Sequence, residues 1–136
     1  MTDTPTTIEF IVEGKLLDQS GDMIVLGISG TDYQLHLKIA GKPDVPPSRF
    51  VRGWIHSVAR RVDVVPAGGR FIEPVQGRPR RIQGVVNRVD VLADLIVVDS
   101  IIPITCRLAA SQKAEQFEVG RMVSFDVEPD SRFEMQ

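Results

Sequence analysis

The chain has 136 residues, of which 43% are hydrophobic, and its formal net charge at pH 7 is −2. This apolar content is enough for one core of moderate size, or for two small cores that share an interface. The single cysteine excludes an intramolecular disulfide, and with it a secreted disulfide scaffold. The acidic balance argues mildly against a protein devoted to nucleic acid.

The N-terminal segment, residues 1–7, lacks the basic and apolar regions of a signal peptide, and we expect it to be disordered. The longest apolar stretches are far shorter than the roughly 20 residues that a membrane-spanning helix needs. We therefore expect a cytoplasmic protein with no membrane partner.

Strand patterns fill the first half of the chain, which we assign to residues 8–75. β-branched and aromatic residues, alternation of apolar and polar residues, and turn residues at the boundaries indicate strands here. The predicted strands are 8–12, 22–27, 33–39 and 54–65. A segment rich in proline and glycine, 41–47, separates the last two of these strands.

The same kind of pattern starts again after a linker at residues 76–80, and it defines a second half at residues 81–136. The predicted strands of this half are 81–86, 95–98, 104–108 and 123–127. Residues 109–116 are the one plausible helix of the chain, with Ser111 as a candidate N-cap.

The two halves share sequence features at a spacing of about 70 residues, which fits a duplicated small domain better than a solenoid repeat. Gly14 corresponds to Gly84, and the motif Phe-x-x-Gly occurs at residues 50–53 and again at 117–120. These matches predict an internal duplication. The alternative is that any two meanders of four strands show this degree of similarity.

Each half runs through three strands, a linking loop or short helix, and a return strand, and this order resembles an OB-fold. The predicted fold class is all-β, with two similar, small, antiparallel, barrel-like (OB-like) halves that form one compact unit or remain separate. The second half is short of a fifth strand, which residues 132–135 could supply. Two short halves that interlock into a single barrel are the alternative. Such a resemblance is only weak evidence for a function, because common folds host many activities.

Sequence motifs of known enzyme classes are absent from the chain. It has no phosphate-binding glycine loop and no nucleophile elbow. Cys106 alternates with Ile104 and Leu108 along a predicted strand, which indicates a buried thiol. His36, His56 and Cys106 lack the short paired spacing of a zinc site. We expect no catalytic site, no metal site and no cofactor.

Charge is distributed unevenly, with a net of −4 over residues 1–48, +7 over residues 49–88 and −5 over residues 89–136. Every basic residue of the central segment is an arginine, whose planar guanidinium suits phosphate and carboxylate. Aromatic residues are interleaved with these arginines, as in proteins that bind single strands through stacking and a positive groove. The candidate nucleic-acid-binding or anion-binding residues are Arg49, Arg52, Trp54, His56, Arg60, Arg61, Arg70, Phe71, Arg78, Arg80 and Arg81.

Two functions fit this pattern. The first is a non-enzymatic binding module for single-stranded DNA or RNA, with Trp54, His56 and Arg60 on one face of the long strand and Arg61 on the other. The second is a structural or assembly module, in which the arginines pair with carboxylates of the acidic flanks. This second module makes a homo-oligomer or contacts a protein partner. An uncovered groove of arginines with Trp54 exposed favours the first function, and a carboxylate at each arginine favours the second. We expect any ligand to bind at the join between the halves.

Overall fold

The computed structural model describes residues 10–39, 46–109 and 111–136. Strands make up most of the regular structure of these residues, and their bounds are β1 Val12–Ser20, β2 Met23–Ile28, β3 Gln34–Ile39, β4 Phe50–Val65, β5 Phe71–Glu73, β6 Gln76–Gly77, β7 Arg81–Asp90, β8 Leu95–Asp99, β9 Pro103–Arg107, β10 Met122–Val127 and β11 Arg132–Met135. The prediction of an all-β protein is confirmed. The predicted disordered segment 1–7 and most of the segment 41–47 lie outside the described residues.

Strand β3 shows why this sequence folds into strands. Leu35, Leu37 and Ile39 are buried, whereas His36 between them is exposed. Since side chains of a strand alternate between its two faces, this pattern places the apolar side chains in the core and the polar ones outside. The predicted half-buried strand at 33–39 is therefore confirmed.

Strand pairing closes a first circuit of five strands. β1, β2 and β3 form an antiparallel meander, β3 pairs with β11 in parallel, and β11 pairs antiparallel with β4. β4 then returns to β1 in an antiparallel ladder. The circuit leaves none of its five strands as an open edge, and closure of this kind removes unpaired backbone groups.

A second circuit of five strands is closed in the same order. β7, β8 and β9 form its antiparallel meander, β9 pairs with β4 in parallel, and β4 and β10 return to β7 in antiparallel ladders. β4 therefore belongs to both circuits. Its residues 50–56 pair with β1 and β11, and its residues 56–65 pair with β9 and β10.

His56 is the residue at which β4 passes from one circuit to the other. Its backbone is in register with Arg132 of β11 and also with Thr105 of β9. This position brings side chains from β4, β9 and β11 close together at one point, which we call the junction.

The circuits cross the predicted division of the chain. β11 lies in the predicted second half, 81–136, yet it completes the circuit formed by strands of 8–75. β4 lies in the predicted first half and completes the circuit formed by strands of 81–136. The predicted linker, 76–80, includes β6, which pairs with β3. A single hydrophobic cluster contains side chains from both circuits, among them Leu35 and Ile82.

The predicted helix at 109–116 is wrong. The described residues contain no α-helix, and of this segment Ala114–Gln116 form a single 3₁₀ turn. The physical reason is Gln112, whose side-chain amide accepts a hydrogen bond from the Val62 N–H at 2.8 Å and donates one to the Val62 carbonyl at 2.9 Å. The side-chain amide thus makes the two hydrogen bonds that a neighbouring strand would make to Val62, and these bonds hold Gln112 against β4. Within the described ranges, no helix has the length and apolar content to cross a membrane.

Candidate functional site

A cleft of about 590 Å³ lies beside the start of β7 and the end of β10. Four arginines line it, and all four belong to the predicted candidate set: Arg60, Arg78, Arg80 and Arg81. We call this site the arginine cleft. It lies at the join between the predicted halves, because three of its arginines come from residues 78–81.

Backbone hydrogen bonds fix the segment that carries these arginines. The Arg80 N–H donates to the Glu73 carbonyl at 2.8 Å, and the Val127 N–H donates to the Arg80 carbonyl at 3.0 Å. Arg81 then enters β7 opposite Glu73 of β5 and Asp126 of β10. The cleft wall is therefore ordered by the sheet before any ligand binds.

Two of the four arginines have carboxylate partners. Arg81 donates to Asp126 Oδ1 at 2.8 Å and to the Ser124 hydroxyl at 2.9 Å. Arg60 Nε lies 3.4 Å from Glu128 Oε2. Both pairs are largely exposed, and exposed pairs typically contribute between 0 and about 1 kcal/mol. Such weak pairs can open for a competing anion.

The other two arginines, Arg78 and Arg80, make no ion pair with any carboxylate of the described residues. Both are exposed. The cleft is also lined by two acidic residues, Glu73 and Asp126. Four guanidinium groups against these two carboxylates and that of Glu128, the partner of Arg60, leave an excess of positive charge in one concave place, which favours anions.

A β-bulge in β4 changes the faces of its arginines. Asp126 is in register with Arg61, but Val127 is in register with Ala59, so Arg60 is the extra residue. Ala59 and Val62 are both buried, and Arg60 and Arg61 between them are both exposed. The prediction that Arg60 and Arg61 occupy opposite faces is wrong, because a bulge shifts the alternation by one residue.

The remaining predicted arginines lie outside the cleft. Arg52 Nε lies 3.1 Å from Glu13 Oε2, and Arg61 Nε lies 3.1 Å from Asp63 Oδ1. Arg49 and Arg70 are exposed in loops that precede β4 and β5. The predicted set of arginines is therefore divided, with four residues in one cleft and the others dispersed.

The aromatic candidates are also separated from the arginine cleft. Trp54 is half-buried in β4, and Phe71 is half-buried in β5. The exposed aromatic side chain is Phe50, at 72% exposure, and Lys15 Nζ lies 5.9 Å from its ring centroid. Among the described residues that line the cleft, none is aromatic. The cleft therefore offers guanidinium groups for phosphate contact, but its described lining residues offer no ring for base stacking.

His56 is buried at the junction, and its Nε2 donates to Glu134 Oε1 at 2.8 Å. Burial lowers the pKa of His56, and the charge of Arg132 lowers it further, while the hydrogen bond to Glu134 opposes both effects. Arg107 adds a smaller lowering of the same pKa. Protonation of His56 is therefore disfavoured.

Arg107 and Arg132 were missed by the sequence reasoning. They lie outside the central arginine segment, in a part of the chain with a net charge of −5. The one available signal was alternation in the strand of Arg107, which predicts an outward side chain between buried neighbours. Nothing in the sequence indicates that Arg132 is placed beside His56.

The search for known relatives of the chain found no matching family model, no matching curated protein and no matching solved structure.

Cys106 is fully buried, as predicted, and burial raises the pKa of its thiol. A thiol that resists ionisation is a poor nucleophile. In the part of the chain that the structure describes, no three His, Cys, Asp or Glu side chains are grouped as metal ligands.

Proposed function

We propose that the protein is a non-enzymatic binding module that holds the phosphate backbone of a single-stranded nucleic acid in the arginine cleft. The observation that carries this proposal is the convergence of Arg60, Arg78, Arg80 and Arg81 on one cleft of about 590 Å³. Arginine binds phosphate through two parallel N–H donors, and this geometry gives both affinity and orientation.

The charge state of the cleft supports the proposal. Arg78 and Arg80 have no ion-pair partner among the described carboxylates, so they can accept phosphate without losing a contact. Arg60 and Arg81 exchange an exposed carboxylate for a phosphate at low cost. Backbone neutralisation also releases counterions, which is the main source of sequence-independent affinity for nucleic acid.

We further propose an OB-like fold that arose by duplication. In its support, both circuits consist of a meander of three strands, a return strand and a fifth strand parallel to the third. The OB-fold is a five-stranded barrel that often binds oligonucleotides. Gly14 and Gly84, the two glycines that the duplication matches, also support it. A Cβ at either position would meet a backbone carbonyl oxygen of the second strand of its own meander.

The test is fluorescence anisotropy with a labelled single-stranded oligonucleotide at low salt. We expect binding that weakens steeply as salt is added, because the contacts are with phosphates. A duplex of the same sequence serves as the comparison for strand preference. If no binding is found with tens of micromolar protein, the proposal fails.

An assembly module is the second candidate. Arg52, Arg60 and Arg81 each pair with a carboxylate of the acidic flanks. These ion pairs favour a structural role for the three arginines over ligand binding. Exposed Phe50 and Leu92, at 72% and 94% exposure, offer apolar contacts for a second copy or a protein partner. Light scattering across a salt series tests this candidate, and a monomer at every ionic strength would contradict self-assembly.

A further inference from the structure

A second and smaller pocket lies at the junction, where β4 passes from the first circuit to the second. Its volume is about 80 Å³, and the side chains that matter for its chemistry are His56, Thr105, Arg107, Asp130 and Arg132. We call it the junction pocket. Asp130 lines this pocket and the preceding Pro129 lines the arginine cleft, so the connection between β10 and β11 separates the two sites.

Three strands bring the basic side chains of the junction pocket together. Arg132 of β11 and Thr105 of β9 are the register partners of His56 on its two sides. Arg107 follows two residues after Thr105 and so faces the same side of β9. The two arginines thus lie on opposite sides of the residue at which the circuits meet.

The guanidinium groups of Arg107 and Arg132 make no ion pair with a carboxylate in the described ranges. Both arginines nevertheless act electrostatically on His56, since each lowers its pKa. The pocket is therefore lined by two guanidinium groups and one carboxylate, that of Asp130, which leaves an excess of positive charge.

The two nearby carboxylates are already engaged. Asp130 Oδ1 lies 3.6 Å from Lys38 Nζ, and Glu134 Oε1 accepts the His56 hydrogen bond at 2.8 Å. An ionised carboxylate can only accept hydrogen bonds, so His56 Nε2 carries the proton of the neutral ring. Nδ1 is then the ring nitrogen without a proton.

The size of the pocket selects the ligand. One water needs about 10–15 Å³ of such space, so a pocket of about 80 Å³ accepts an ion of five heavy atoms. Sites for drug-sized ligands are larger, at about 300–1,000 Å³, so this volume suits a small anion. We propose that the junction pocket binds a phosphate group between Arg107 and Arg132. This inference does not rest on the function proposed for the arginine cleft.

The test is an NMR titration of the histidine rings with inorganic phosphate, at constant pH and with sodium chloride holding the ionic strength constant. The chain has two histidines, and the second, His36, is exposed on β3. We expect the His56 ring signals to shift with phosphate and to saturate, and the His36 signals to stay in place. His36 thus serves as the internal control.

Variants locate the binding site. Arg107→Gln and Arg132→Gln should each weaken phosphate binding about tenfold or more, because each removes hydrogen bonds to a charged ligand. Both side chains are exposed, so neither change should disturb folding, and unchanged His36 signals check this. Arg121→Gln removes the same charge from a distant pair with Glu118 and should leave the affinity unchanged. Arg78→Gln in the cleft should also leave it unchanged, which separates this proposal from the first.

A second pair of titrations identifies the source of the phosphate. A short oligonucleotide with a 5′-phosphate is compared with the same oligonucleotide ending in a 5′-hydroxyl. A His56 shift with the first alone assigns the pocket to the end of a strand, and a shift with inorganic phosphate alone assigns it to the free ion. Either result supports the proposal. The proposal is overturned if no phosphate gives a saturable His56 shift, or if Arg107→Gln and Arg132→Gln both bind phosphate as tightly as the wild-type protein does.

Discussion

Phe133 lies opposite Ile55 in the ladder between β11 and β4, and both side chains are 1% exposed. Phe133 belongs to the strand that completes the first circuit, and Ile55 belongs to the strand shared by both circuits. Because β4 cannot leave one circuit without disturbing the other, we expect the two circuits to unfold together. Phe133→Ala should cost about 3–5 kcal/mol, the usual range for a buried phenylalanine.

Denaturant unfolding measured by two probes checks this prediction. The fluorescence of Trp54, the one tryptophan, reports on β4, and far-UV circular dichroism reports on all strands. The two curves should coincide, as in a two-state transition. Phe50→Ala is the matched control, since Phe50 is 72% exposed and its loss should cost little. Two separate transitions, or a loss confined to one probe in Phe133→Ala, would contradict the shared unfolding.

Local patterns predicted most of the strands but not their partners, and they misplaced β1, which was expected at 8–12 and runs over Val12–Ser20. The alternation of Leu35, His36 and Leu37 identifies β3 from its own residues, because burial on one face leaves a local trace. The pairing of Phe133 with Ile55 leaves no such trace, since it depends on which distant strand closes the circuit. The exchange of strands between the predicted halves is therefore visible only in the structure.

The same distinction holds for the candidate site. The charge pattern of the sequence predicts a basic centre at the join, and three arginines of the 78–81 segment do line one cleft there. The bulge at Arg60 was not predictable, because it depends on the register with β10. Arg132 was missed for a similar reason, since its position beside His56 arises from a ladder between distant strands.

The arginine cleft predicts a change in the salt dependence of oligonucleotide binding. Arg78→Gln and Arg80→Gln should each reduce the slope of log K against log salt by about 0.7, the value for one phosphate contact on a single strand. Anisotropy titrations at four or more salt concentrations measure this slope. Arg121→Gln is the matched control, because it removes one exposed positive charge outside the cleft.

Two outcomes would contradict phosphate binding by Arg78 and Arg80 in the cleft. If Arg121→Gln lowers the slope as much as Arg78→Gln does, the effect is one of net charge and not of the cleft. If neither cleft variant changes the slope, the phosphates do not contact Arg78 or Arg80.

Gly84 should be intolerant of any side chain. A Cβ at this position would lie against the backbone of Asp99 and Ser100 in the neighbouring strand and the turn that follows. Backbone of a sheet cannot move aside cheaply, so Gly84→Ala should destabilise the fold by about 1–3 kcal/mol. Thermal or denaturant unfolding measures the loss.

Gly69→Ala is the control for this prediction. A Cβ at Gly69 meets no atom within 4 Å, and its backbone is not in the left-handed region. The change should be neutral, or stabilising by up to about 1 kcal/mol through the unfolded chain. Equal stability of Gly84→Ala and Gly69→Ala would show that β7 and β8 are further apart than described.

His56 should make stability depend on pH below neutrality. Its pKa in the folded chain is lowered from the ordinary value of 6.5, chiefly by burial and by Arg132, so the unfolded chain binds the proton more readily. The neutral ring therefore makes its full contribution to the free energy of unfolding above about pH 6.5, and this contribution is lost as the pH falls towards the folded pKa. Melting temperatures between pH 7.5 and 5.5 should fall more steeply in the wild-type protein than in His56→Gln, whose amide can still donate to Glu134. His36→Gln is the matched control, because it replaces the other histidine with the same side chain at an exposed position. Parallel curves for the wild-type protein and His56→Gln would mean that His56 titrates alike in the folded and unfolded chains.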